Sequence, residues 1–118
     1  NNAAKVQALI DSGIPVSFAN SVGQTALHIA ALWGNTEACA TLLENGAALN
    51  VRNDLSGATP LHMAVTSNKD IGRRMACAKL IIDAGADLTV KDIEGIMPWE
   101  HALGVSEVEF AQLLRPST

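Results

Sequence analysis

One short word is written three times in this chain. "TALHIAA" runs from Thr25 to Ala31, "TPLHMAV" from Thr59 to Val65, and a worn copy, "MPWEHAL", starts at Met97. A second marker recurs independently: "LIDSG" ends at Gly13, "LLENG" at Gly46 and "IIDAG" at Gly85. A further glycine, Gly23, Gly57 or Gly95, stands two residues before each copy of the word. Markers that recur together, with a unit of 33 to 39 residues, signal a repeat architecture. In such a fold each unit is too small to bury its own apolar face and depends on its neighbours.

The local chemistry of one unit reads as a helix pair. Thr59-Pro60 supplies an N-cap hydroxyl for an orphan amide, then a proline with no amide to orphan. Thr25 opens the same helix one unit earlier. A second helix follows, capped by Asn35 or Thr36, with Glu37 placed to favour the positive helix end. Its apolar residues Ala38, Cys39, Leu42 and Leu43 share one helical face. Gly46, and Gly85 a unit later, read as left-handed C-caps. The polar stretch "AALNVRNDLSG" then reads as a loop or hairpin returning to the next helix. The composition agrees. Nearly half of the 118 residues are apolar, with no Tyr and only 3% aromatic side chains, which suits closely packed helices better than a sheet core.

These residues resemble the ankyrin repeat, with its glycine, Thr-Pro-Leu-His and two alanines, and later Leu-Leu before Gly-Ala. The resemblance runs through Gly23, Thr25, Leu27, His28, Ala30, Ala31, Leu42, Leu43, Gly46 and Ala47 in one unit. It continues through Gly57, Thr59, Pro60, Leu61, His62, Ala64, Ile81, Ile82, Gly85 and Ala86 in the next. It implies an all-α solenoid of stacked helix-turn-helix units joined by short β-hairpin-like loops. The units fall at 1–19 (the second helix and hairpin of a partial first repeat), 20–52, 53–91 and a C-terminal cap at 92–115. The last copy departs from the pattern. It has Met97 for the cap threonine, Trp99 for the leucine and Glu100 for the histidine, and His101 stands where the other copies have Ile29 and Met63. The unit 53–91 is also longer, by about one residue in "NDLSG" and about five near "NKDIGRR".

Catalytic chemistry finds no foothold. The chain has no Gly-rich phosphate loop, nucleophile-elbow motif or Ser-His-Asp grouping. Its three histidines and two cysteines lack zinc-ligand spacing, since no two lie within four positions on one helix. The resemblance implies that His28 and His62 are structural, with each ring bonding backbone near its helix start and the adjoining hairpin. Cys39 and Cys77 read as separate, buried, reduced thiols. No cofactor or metal is expected. A net charge of −4 argues against a general nucleic-acid binder, and no apolar run approaches the roughly 18 residues that span a bilayer. The chain shows no signal-peptide pattern and does not start with Met. It therefore reads as an excised or processed fragment of an intracellular protein, cytoplasmic or nuclear, or organellar if a targeting segment lies outside it.

Function is then expected at positions the repeat does not dictate. The resemblance implies a concave surface, lined by hairpin tips and the exposed side of each first helix, that binds a protein or peptide. Carried over, this surface comprises Ser21, Val22, Gln24, Leu32 and Trp33. To these it adds Leu55, Ser56, Ala58, Thr66 and Ser67, then Ile93, Glu94 and Ile96. Trp33 reads either as an interface hot spot or as a ring folded over a neighbouring unit. Lys69, Arg73 and Arg74 read as a basic insertion, either a solvated loop or a contact for an acidic partner segment, opposite an acidic C-terminal unit of Asp92, Glu94, Glu100, Glu107 and Glu109. Asn50 matches a hairpin asparagine that is hydroxylated in some animal ankyrin repeats. The expected function is a non-catalytic interaction module. The alternatives are a regulatory or inhibitory domain of a larger enzyme, channel or transcription regulator, or a small-ligand or metal site.

Overall fold

The computed structural model describes residues 2–116; residue 1 of the expected first unit lies outside them. Seven helices follow one another: α1 (Asn2–Asp11), α2 (Ala26–Leu32), α3 (Thr36–Glu44), α4 (Pro60–Thr66), α5 (Ile71–Asp83), α6 (Pro98–Gly104) and α7 (Val108–Leu114). Among the described residues there is no β-strand, only an isolated bridge between Ala19 and Thr25. The first helices of the units, α2, α4 and α6, pack side by side in one row. The second helices α1, α3 and α5 form a parallel row behind them, and α7 closes the stack against α6. The resulting body is elongated, 41 × 27 × 26 Å.

The first-row helices have only seven residues each, well short of the roughly 12–15 at which an isolated helix becomes even marginal. Caps and stacking hold them. The Thr25 and Thr59 hydroxyls accept from the amides of His28 and His62, and each imidazole Nδ1 accepts in return from its threonine's own N–H at 3.1 Å. In α6 half of this box survives: Met97 offers no side-chain cap, but the Glu100 carboxylate accepts from the Met97 N–H at 2.9 Å. The core fills the space between the rows with Leu27, Leu42, Leu61, Ile81, Phe110 and Leu114, all at most 2% exposed. Buried alanines at 30, 31, 64, 78 and 102 let neighbouring helices approach closely. Gly46 and Gly85, at φ +80° and +103°, end α3 and α5 in the left-handed conformation.

The extra residues near "NKDIGRR" are not a loop. They give α5 one additional turn at its start, so that it has 13 residues against nine in α3, with the Asp70 carboxylate capping it through the Arg73 amide. Cys39 on α3 and Cys77 on α5 are free thiols, both fully buried. The two side chains meet in hydrogen-bonding contact, and that contact together with burial pushes the Cys39 thiol up.

Candidate partner-binding surface

The connections between units form projecting fingers, each closed by an Asx residue. Asn20 accepts from the amides of Val22 and Gln24, Asn53 from that of Ser56, and Asp92 from those of Glu94 and Ile96. Adjacent fingers are then tied side to side. The Asp54 amide donates to the Val22 carbonyl and the Ile93 amide to the Ser56 carbonyl, both at 2.9 Å. Gly57 is required at this junction: it sits at φ +68°, and a Cβ there would lie 2.8 Å from the Ile93 nitrogen.

Each buried histidine braces its helix against the finger that follows. The His28 Nε2 donates to the Ala58 carbonyl at 2.9 Å, and the His62 Nε2 to the Ile96 carbonyl at 2.8 Å. Burial pushes both imidazoles below the ordinary histidine value, against the pull of those carbonyls. With Nδ1 accepting a backbone N–H and Nε2 facing a carbonyl, the geometry fits the neutral Nε2–H tautomer.

His62, Asp92 and His101 place ligand-type atoms within 4.8 Å of one another. The set does not fit a metal. Both His62 nitrogens are already committed, one to the Thr59 amide and one to the Ile96 carbonyl, and a metal needs a free imidazole lone pair. His101 instead donates to Asp92 at 2.7 Å and locks the finger ahead of its own helix. Burial disfavours the Asp92 carboxylate, but hydrogen bonds from His101 and from the Ile96 and Glu94 amides outweigh it, holding the carboxyl below its usual range.

The residues expected to meet a partner fall into three groups. Leu55 and Ile93 crown the second and third fingers, 66% and 71% exposed, and Trp33 at the end of α2 is 55% exposed. Val22, Gln24, Leu32 and Ile96 are half-buried, and the backbones of Val22 and Ile96 already serve the finger ties and the His62 brace. Ala58 and Ser67 are buried, so they present no surface. Trp33 is exposed and also braced: the Lys69 ammonium stands 4.4 Å over its ring, and the Arg73 guanidinium donates to the Trp33 carbonyl at 2.8 Å. Arg73 remains half exposed. Asn50 accepts from the Asp87 amide and so links two units below the fingers.

Arg74 is a correction. It was expected at an exposed basic rim, yet it is 5% exposed. The extra turn of α5 aims it inward, where it donates to both carboxylate oxygens of Glu107 (Nη1–Oε1 2.9 Å) and to the Val65 carbonyl. Its guanidinium also lies over the Phe110 ring. Three of the five acidic residues of the C-terminal unit are engaged, with Glu107 on Arg74, Asp92 on His101 and Glu100 on the Met97 amide. Sequence reasoning missed Phe18, 62% exposed on the first finger, and Leu9, 54% exposed on α1. Phe18 lies in the least repeat-like stretch, and Leu9 occupies a slot that the repeat marks as core.

Hydrogen-bonded fingers and a row of short capped helices, all built from one repeated unit, define a repeat solenoid of the helix-turn-helix class. The family model for ankyrin repeats (3 copies) matches residues 1–92, and the chain belongs to the ankyrin-repeat family. It is 40% identical over 117 residues to the inactive serine/threonine-protein kinase TEX14 of Bos taurus, covering 94% of this chain and 7% of that protein. It is 41% identical over 101 residues to Protein PhlB of Serratia liquefaciens, covering 86% and 42%. It is 32% identical over 100 residues to ankyrin repeat and SOCS box protein 6 of Mus musculus, covering 84% and 23%. The chain thus spans less than half the length of each of these relatives. Among the described residues, no helix is long and apolar enough to cross a membrane.

Proposed function

We propose that this domain is a non-catalytic interaction module that binds a partner protein or peptide across its finger tips and first-helix row. One observation carries the reading. Leu55 and Ile93, two large apolar side chains 66% and 71% exposed, sit on adjacent fingers whose backbones are hydrogen-bonded together. A rigid backbone that displays apolar groups to water is preorganised for binding, because little ordering entropy remains to be lost. Trp33 extends the patch toward α2, and Arg73 gives its rim a positive charge that speeds encounter with an acidic segment.

The second reading is a regulatory or inhibitory domain within a larger polypeptide. The small share of each relative that the chain covers favours it, and the two readings are compatible. The test is affinity purification with this domain as bait, followed by kinetics on the purified partner. Leu55→Asp combined with Ile93→Asp should weaken binding by at least about thirtyfold while leaving the circular dichroism unchanged. Trp33→Ala should raise the off-rate, and Arg73→Ala should lower the on-rate at low salt only. Unchanged binding by the fingertip variant would remove this surface from consideration.

A further inference from the structure

The first helices α2 and α4 end in different company. At the end of α4 the Val65 carbonyl accepts from the Arg74 guanidinium at 3.3 Å, and Glu107, a carboxylate of the next unit, answers that cation. At the end of α2 the Trp33 and Gly34 carbonyls accept from Arg73 at 2.8 and 3.3 Å, and the Lys69 ammonium stands over the Trp33 ring. Cations suit both places, because the carbonyls at a helix C-terminus carry partial negative charge. The acid is what differs. Among the described residues no carboxylate forms an ion pair with Lys69, and Arg73 has only Asp70, whose Oδ1 lies 3.9 Å from the Arg73 Nε. The other oxygen of Asp70 already caps α5 through the Arg73 amide.

These cations border a notch of about 350 Å³ lined by Leu32, Trp33, Thr66, Asn68 and Lys69. Every lining residue belongs to one of the two complete units, 20–52 and 53–91. A further repeat stacks onto an end of the α2–α4–α6 row, not between α2 and α4, so stacking does not fill the notch. The cationic stems are held in place. Gly34 turns at φ +63° so close to them that a Cβ there would lie 3.0 Å from the Arg73 Cβ and 3.7 Å from the Lys69 side chain. Lys69 is half-buried, yet half of the Arg73 side chain remains in water. The notch thus presents two positioned cations beside an apolar wall of Leu32 and Trp33. A neutral segment seated there would desolvate the Lys69 ammonium without pairing it, which is costly, and a basic one would be repelled. A carboxylate would pair it through a charge-assisted hydrogen bond.

We propose that this notch binds an acidic segment of a partner protein. A Glu or Asp side chain of the segment pairs with Lys69 and Arg73, and a large apolar residue beside it lies against Leu32 and Trp33. The proposal rests on the interaction-module reading and gives it a charged contact at the end of α2 far from the fingers. A random peptide library displayed on phage and panned against the domain tests it. Enriched peptides are synthesised and titrated into isotope-labelled protein. They should carry Glu or Asp beside a large apolar residue, and they should shift the indole signal of Trp33 and the side-chain signals of Lys69. Replacing that acid by its amide should weaken binding at least about tenfold at low salt, and the difference should shrink as salt rises. Lys69→Met keeps an apolar stem on the ring and removes the charge. It should erase most of the preference for acid over amide while leaving the circular dichroism unchanged. Panning against Lys69→Glu should enrich Lys and Arg in place of the acid. Peptides that shift Trp33 without carrying an acid, enrichment confined to fingertip binders, or a preference unmoved by Lys69→Met each overturn the proposal. So does a longer form of the polypeptide in which the Lys69 and Trp33 signals are already shifted and the peptide is refused. If no acidic peptide reaches the notch while Leu55→Asp/Ile93→Asp still loses the purified partner, the notch assignment falls and the fingertip reading stands.

Discussion

The seam between the second and third units and the seam before the last unit solve the same packing problem with different materials. In the middle seam the fully buried contacts are neutral, and the cations Lys69 and Arg73 touch only its exposed edge at Trp33. His28 braces the next finger as an uncharged ring, and Leu27, Ala30, Ala31, Cys39 and Cys77 fill the space. The last seam keeps a histidine brace at His62 but adds the Arg74–Glu107 ion pair, and the unit behind it is locked by the His101–Asp92 hydrogen bond. In each pair one side chain is buried, 6% exposed for Arg74 and 7% for Asp92, and its partner keeps 22% or 24%. Where protein lies on both sides, a charge would have to be fully desolvated, and small neutral residues are selected by physics. Where the outer face meets water, a half-solvated pair becomes tolerable, and the repeated word is rewritten with charges.

The largest expected effect breaks the charged seam. Glu107→Ala leaves Arg74 buried without its carboxylate and should cost about 3–5 kcal/mol, read as a lower urea midpoint. Arg74→Met combined with Glu107→Leu should recover most of that loss. A cost for Glu107→Ala below about 1 kcal/mol would match a surface pair and show that the last seam is not closed in solution.

Next comes a contrast between equivalent slots. Leu42→Ala should cost about 2–5 kcal/mol through an unfilled cavity. Leu9→Ala, the same change one unit earlier, should cost less than about 1 kcal/mol because its side chain is already half in water. Equal losses would mean that α1 is covered in a way the structure does not show.

A smaller effect, spread over a pH interval, separates the seams by titration. The folded His28 and His62 lie below the ordinary value of 6.5, so the unfolded chain takes up protons first. Their contribution is complete above that value and is lost as pH falls through it toward the folded pKa. Asp92 lies below 3.8, so its contribution persists above that value and disappears only in stronger acid. Urea midpoints should thus decline between neutral pH and mild acid, and His28→Gln should flatten the decline. A wild-type midpoint that stays level across that interval would contradict the neutral brace. The smallest effect is local. Ser106 holds φ +63° at the turn where the earlier unit has Gly34, so Ser106→Gly should stabilise by no more than about 1 kcal/mol, seen as a slight rise in melting temperature.

The repeat and its caps were legible because each is decided within a few positions. Thr59, Pro60 and Gly85 announce their roles from local chemistry alone, whereas the roles of His28 and His62 came from the resemblance, their acceptors lying 30 and 34 positions away. Arg74 was not legible. Its partner lies 33 positions away in another unit, and its inward aim depends on a helical turn that sequence spacing presented as a loop. Trp33 was legible as a residue free of the repeat. The Lys69 and Arg73 contacts around it came from the same extra turn and stayed hidden. Leu9 failed for a third reason: a slot is buried only where a neighbouring helix covers it, and no property of the residue itself records that. Phe18 escaped notice because its stretch carries the weakest repeat signal.

The histidine braces point one way along the chain. His28 reaches forward to residue 58 and His62 to residue 96, never back. During synthesis a helix pair that has left the ribosome therefore carries a ring N–H without its acceptor until the following finger emerges. Each unit is provisional, and the next one ratifies it. Loss of material from the two ends is correspondingly unequal. Removal of the first unit strips no histidine of its acceptor, whereas removal of the last takes the Ile96 carbonyl away from His62.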